Sequence, residues 1–291
     1  DLRRSARPRG LFIGWLFTKL KLKNTDLFIR YFVNFALYFL VPIFVFFAMW
    51  EAPLLTNVVN TRNVVFAVLV VFFFGVLFAL CHSKIFGQSF RSVALPIIFM
   101  NSAYIAIPLN TVFFGTEGTF YAIIYNVGLT FLYFIFGVWF VSGSIKEMFR
   151  LPIMYLAIFG IFLNLSGIKL STEIHHFSEL LTAITIPVML CLVGCQMRTD
   201  SIFCYKGLKK VLTGVFMRMF GGLIVAYIFC RVFDITGVVK GVCLLTSAMP
   251  SAISSYIFSK KYDADYSFAS SMITIGLIMT LVVIPIILWL K

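Results

Sequence analysis

Nine long stretches of this chain carry almost no charge, and that leaves few folds open to it. They lie at residues 31–50, 64–81, 93–114, 119–145, 151–168, 180–197, 211–230, 241–259 and 266–290. Each approaches or exceeds the roughly 18–20 residues a helix needs to cross the hydrocarbon core. Of 291 residues, 61% are hydrophobic and 12% charged, with a mean hydropathy of +1.01. A soluble domain carries about a quarter charged residues. In lipid, every backbone N–H and C=O must be paired internally, and segments of this length achieve that as helices. The sequence predicts an all-α polytopic membrane protein seated in the lipid bilayer.

The net charge of +13 follows the loops. Alternating sides places Lys19, Lys21, Lys23, Arg30, Lys84, Arg91, Lys146, Arg150, Arg198, Lys206, Lys209, Lys210, Lys260 and Lys261 together. The opposite side receives only Arg62, Lys169, Arg231, Lys240 and Lys291. The positive-inside rule makes the first side cytoplasmic and puts the C-terminus outside, in the cell membrane. No interleaved basic and aromatic surface remains for nucleic acid.

The spans recur. Those beginning at 31, 64, 93 and 119 reappear at 180, 211, 241 and 266, offsets of 149, 147, 148 and 147. Pro42 pairs with Pro187 at a similar spacing. The span beginning at 151 calls for a partner near residue 4, where Arg3, Arg4, Arg7, Pro8 and Arg9 precede a short apolar run, Leu11 to Phe17. The pattern predicts an inverted repeat of five plus five transmembrane helices with the first helix truncated. Repeat one covers about 11–145 and repeat two about 151–290, within a single transmembrane domain at 1–291. The arginine-rich head is too weakly apolar for a secretory signal.

Two segments at matching places carry the functional signal. Asn101-Ser-Ala-Tyr-Ile-Ala-Ile-Pro108 and Thr246-Ser-Ala-Met-Pro-Ser-Ala-Ile-Ser254 put small polar residues and a proline inside apolar spans. A helix is interrupted at depth only where it packs on protein or lines a cavity. A pair of interruptions at corresponding positions of two halves points to a transporter's binding site. Half-helix N-termini there present positive dipole ends, which suit an anion. Candidate contacts are Asn101, Ser102 and Tyr104 from one half and Ser251, Ser254 and the backbone ahead of Pro250 from the other. Pro108 and Pro250 are expected to hold the crossover open.

Other chemistry has little to stand on. The six cysteines fall mostly inside apolar spans, and Cys191 and Cys195 lack the His or carboxylate company of a metal site. His175 and His176, with Glu173 and Glu179, read as a solvated outside loop, and His82 as a membrane-edge residue. Arg218 alone among Lys, Arg, Asp, Glu and His lies well inside a span. About two turns from the cytoplasmic end, it is expected to snorkel, with attraction of an anion as the alternative. No Asp or Glu lies at midplane depth. An intramembrane enzyme needs a Ser/His pair or facing aspartates, so no enzyme activity and no cofactor are expected.

These motifs carry a resemblance. Asn101-Ser-Ala-Tyr-Ile-Ala-Ile-Pro-Leu109 resembles the Asn-Thr-Gly-Phe-x-Gly-x-Pro-Leu pattern of the auxin efflux carrier family, which includes bacterial malate and malonate permeases. A Phe-Gly-x-Glu turn follows, here Phe114-Gly-Thr-Glu117. Ala248-Met-Pro-Ser-Ala252 is similar to the family's Ala-Met-Pro-Thr-Ala. Leu40-Val-Pro-Ile-Phe44 and Ile186-Pro-Val-Met-Leu-Cys-Leu-Val-Gly194 match further segments. Ala103 and Ala106 stand where glycine is usual, and Ser254 and Ser255 where an asparagine is common. The resemblance runs from about residue 11 to the end. It implies ten helices, broken crossover helices at the fourth and ninth, and alternating access between a scaffold and a transport unit.

The expected function is a secondary transporter moving a small organic anion, a carboxylate of malate, malonate or auxin type. A channel, or a carrier of a non-carboxylate metabolite, is the alternative. Polar residues clustered at mid-depth fit a closed site better than a channel's continuous stripe. H+ or Na+ as coupling ion stays open, and small and aromatic residues on lipid-facing helices are compatible with a homodimer.

Overall fold

The computed structural model describes residues 31–32, 35–51, 58–142, 152–195 and 207–290. They are almost wholly helical, and the contacts divide the chain into two compact units. One is drawn from Asp1–Val58 and Arg150–Arg198, the other from Val59–Phe149 and Thr199–Lys291. Each unit thus takes one stretch from each half of the chain. The truncated first helix expected from the sequence falls on residues 1–30, outside the described residues.

In the first unit, a π-helical turn at Ala36–Leu40 leads into α1 (Val41–Trp50), whose Pro42 sits in the first turn, where a missing N–H costs nothing. A second helix, later in the chain at Pro152–Leu165, crosses α1 so closely that a Cβ on Gly160 would lie 2.5 Å from the Phe46 carbonyl. The Trp50 indole donates to the Ile168 carbonyl (2.7 Å) and the Asn164 amide to that of Trp50 (2.6 Å). These bonds satisfy the helix ends. Thr172–Cys195 is helical from its start. His175 and His176 therefore lie on an exposed helical turn rather than in a loop, with His175 Nδ1 3.3 Å from Glu51 Oε1. Among the described residues no cluster of His, Cys, Asp or Glu suits a metal.

The second unit opens with α2 (Val58–Phe86). Val64, Ala67, Val68, Val71, Gly75 and Ala79 form its buried stripe, while Val65, Phe66, Leu69, Phe73 and Leu77 are exposed. Small residues inward and large apolar residues outward is the division expected of a helix between protein and lipid. Then follow α3 (Phe90–Ile98) and α4 (Ala106–Leu132). Gly115, at φ 66°, breaks α4 into a short half-helix and a long one. The Thr111 and Thr119 hydroxyls meet across that bend at 2.7 Å. The Phe-Gly-x-Glu segment is thus a reversal of the chain. A π-turn (Tyr133–Gly137) continues into α5 (Val138–Ser142).

With Pro152–Leu165 and Thr172–Cys195 as α6 and α7, the second unit resumes at α8 (Leu208–Phe216), a π-turn (Met217–Gly221) and α9 (Gly222–Val232). It closes with α10 (Gly237–Ser247), α11 (Ile253–Lys261) and α12 (Tyr266–Leu290). Among the described residues, four stretches are long and apolar enough to cross a membrane: Val58–Phe86, Ala106–Val141, Leu208–Val232 and Tyr266–Ile287.

Candidate crossover site

The two sequence interruptions are breaks in helices, and they meet. Residue Phe99 turns extended (φ −104°, ψ 123°) and ends α3; the chain is helical again from Ala106. Pro250 biases the preceding residue away from helix, and α10 ends at Ser247, two residues before Met249. Between them, Met100 and Ser251 pair as an antiparallel bridge. The Asn101 N–H donates to the Pro250 carbonyl (2.7 Å) and the Ala252 N–H to that of Phe99 (2.9 Å). Each break thereby pairs the other's backbone in a place where water is scarce. Pro250 fits this pairing because its carbonyl accepts and no N–H is asked of it. A Cβ on Gly276 of α12 would stand 2.7 Å from Pro250 Cβ, so glycine makes room for the ring.

Arg218 binds both breaks. Its Nη1 donates to the Ile97 (3.2 Å) and Ile98 (2.5 Å) carbonyls, and its Nη2 to the Ser247 carbonyl (3.0 Å). These are the final carbonyls of α3 and α10, which have no partner in their own helices. The π-turn at Met217–Gly221 re-aims the side chain inward, and a Cβ on Gly222 would collide with both Ser247 O and Arg218 Nη2. At 2% exposure Arg218 is buried rather than snorkelling to an interface, which corrects the expectation from sequence. Its hydrogen bonds all go to carbonyls, its Nε is unpaired, and it pairs with no carboxylate among the described residues.

The predicted contact residues fall into two groups. Asn101 is 3% exposed; its Oδ1 accepts from the Tyr104 N–H (3.0 Å), while its Nδ2 makes no hydrogen bond among the described residues. The Ser102 hydroxyl donates to Asn126 Oδ1 (2.8 Å), which leaves Asn126 Nδ2 without a partner. The buried Tyr104 hydroxyl has none either. Three donor groups around the first break are thus buried and unspent, each costing about 1–3 kcal/mol if never satisfied.

Beside the second break the buried Ser255 hydroxyl is unpaired among the described residues, while the break itself is tied down. Ser251 Oγ donates to the Pro96 carbonyl (2.5 Å), tying the break to α3. Ser254 is half-buried beside the Tyr133 hydroxyl. Pro108 is buried in the first turn of α4, two residues after its start at Ala106, where its missing N–H costs no helical bond.

Sequence reasoning missed Asn126, Asn110 and Tyr125. Asn110 Nδ2 bonds the Ala106 carbonyl (2.8 Å) and Thr246 Oγ1 (3.1 Å), and the Tyr125 hydroxyl meets Ser247 Oγ (2.9 Å). The signal was a lone amide or phenol inside an otherwise apolar run.

This assembly, long apolar helices around two mutually paired helix breaks, defines a multi-pass helical membrane protein of transporter type. A family model described as "Membrane transport protein" matches residues 138–288. The chain belongs to that family, the auxin efflux carrier family of membrane transport proteins. It is 26% identical over 235 residues to an uncharacterized transporter of Methanocaldococcus jannaschii, covering 75% of this chain and 74% of that one. It is also 24% identical over 197 residues to an uncharacterized transporter of Methanothermobacter thermautotrophicus, covering 65% and 64%.

Proposed function

We propose that this membrane transport protein is a secondary carrier of a small organic anion, a carboxylate of malate, malonate or auxin type, working by alternating access in the cytoplasmic membrane. Its C-terminus lies outside, and its helices form two inverted repeats of five. The observation that carries the substrate class is the sign of what is left over at the breaks. Asn101 Nδ2 and Asn126 Nδ2 can only donate and the Tyr104 hydroxyl can donate, against one unpaired acceptor nearby, Asn110 Oδ1, and no buried Asp or Glu accompanies them among the described residues.

Dipoles agree with the side chains. Each half-helix end carries up to about half a charge, positive at N-termini and negative at C-termini. The two C-terminal ends, α3 and α10, are matched by the Arg218 guanidinium. The N-terminal ends of α4 and α11, just beyond the paired segment, keep their positive sign. One carboxylate balances that sum.

In this reading Asn101, Ser102 and Tyr104 hold the substrate from the first break, with Asn126 added to them. Pro250, Ser251 and Ser254 shape the facing wall, and Pro108 sets where α4 begins. Flux of labelled malate, malonate and indole acetate into proteoliposomes tests it. Saturable uptake by wild type that Asn101→Ala cuts at least about tenfold, the loss of one charge-assisted hydrogen bond, supports the carrier. Uptake indistinguishable from empty vesicles for all three refutes the substrate class.

A further inference from the structure

The carbonyls at the ends of broken helices are where a carrier of this architecture would hold a metal cation. Half-helix C-termini and unwound backbone coordinate Na+ in such sites. Here those oxygens are taken. Ile97, Ile98 and Ser247 all accept from one guanidinium, which reaches them from α8–α9 by way of the π-turn at Met217–Gly221. Gly222 exists where any Cβ would strike both the Ser247 carbonyl and the guanidinium. Among the described residues no Asp or Glu is buried that would complete an ion's shell.

We propose that Arg218 is a tethered cation standing where a coupling metal ion would otherwise sit, so that this protein assembles its crossover and moves its substrate without Na+. The charge arithmetic supports it. Two convergent C-termini amount to about one negative charge, and the guanidinium supplies one positive charge with three N–H···O bonds. A Na+ ion would bring the same charge but would need the same oxygens. Arg218 is therefore a positioning residue: it touches the half-helix ends, and they in turn present the donors of the first break. The inference rests on the carrier reading only for its consequence in transport; the structural claim stands on its own.

The test begins with the purified wild-type protein in detergent, melted in NaCl and in choline chloride of equal strength. The expected melting temperatures coincide. Arg218→Ala is expected to melt about 5–10 °C lower and to recover in millimolar guanidinium chloride, which does not raise the melting temperature of wild type. Arg218→Lys, retaining the charge on a single nitrogen, falls between them.

Specific stabilisation of wild type by Na+ overturns the proposal, whatever becomes of the variants. So does an Arg218→Ala protein that melts with wild type, or one that guanidinium leaves unchanged. In proteoliposomes, wild-type flux is expected to be equal in Na+ and choline. A protein with the predicted melting pattern but no organic-anion flux refutes the substrate class and upholds the role of Arg218.

Discussion

The two breaks are not copies of one another in what they do with their polar groups. The first runs from Phe99 to Ile105, coils its own backbone onto the Asn101 side chain, and leaves three donors unspent. The second is shorter, from Ala248 to Ala252, and commits its groups inward: the Pro250 carbonyl to Asn101 and the Ser251 hydroxyl to Pro96, with the Ser247 carbonyl at the end of α10 held by Arg218. A pair of similar motifs has divided its work. In the proposed carrier, the first break is the one that meets the ligand, and the second holds the crossover together.

The largest effect should come from reversing the sign of the first break. Asn101→Asp keeps the oxygen that accepts from the Tyr104 N–H and replaces the spare donor with negative charge. Flux should fall about 100-fold or more, with a melting temperature close to that of wild type. A variant that still transports would break the contrast between the breaks.

Gly222→Ala comes next and acts through the second break. The new methyl group meets the Ser247 carbonyl and the guanidinium, and overpacking of this kind costs about 1–3 kcal/mol. Thermal melting in detergent should show the loss, and Gly222→Ser should show no less.

Asn126→Ala removes one of the unspent donors and frees the Ser102 hydroxyl. The expected outcome is a KM raised by about five- to tenfold with little change in melting, read from concentration-dependent uptake. A fall in stability without a change in KM would move Asn126 from ligand contact to packing.

Ser251→Ala should do the reverse and do the least. Losing its bond to the Pro96 carbonyl costs about 1 kcal/mol, roughly 2–4 °C in melting temperature, while KM stays within about twofold. Equal KM effects from Ser251→Ala and Asn126→Ala would erase the division of labour.

Much of this is legible in the sequence. Apolar runs with prolines and small polar residues at mid-span marked both breaks to within a few residues, because lipid forbids such chemistry in a helix without a reason. Arg218 was not legible as what it is. Its distance from the span's end allows snorkelling, and only the π-turn at Met217–Gly221 and the bare Cα of Gly222 send it inward. A five-residue change in helical winding leaves no periodic trace in a uniformly apolar stretch. Asn126 was readable in principle, as a lone amide in the run at 119–145, but its partner Ser102 is 24 residues away and becomes a neighbour only when α4 folds back at Gly115. Pro108 shows the opposite lesson. A proline beside a break looks like its cause, yet here it is the first turn of the helix that follows.

The most direct test of the central claim is saturable uptake of labelled mono- and dicarboxylates by wild type, Asn101→Asp and Ser251→Ala in matched proteoliposomes. Wild type is expected to take up carboxylate, Asn101→Asp to lose that uptake, and Ser251→Ala to keep near-normal affinity. Carboxylate uptake that survives Asn101→Asp, or that Ser251→Ala abolishes in a protein as stable as wild type, would contradict it.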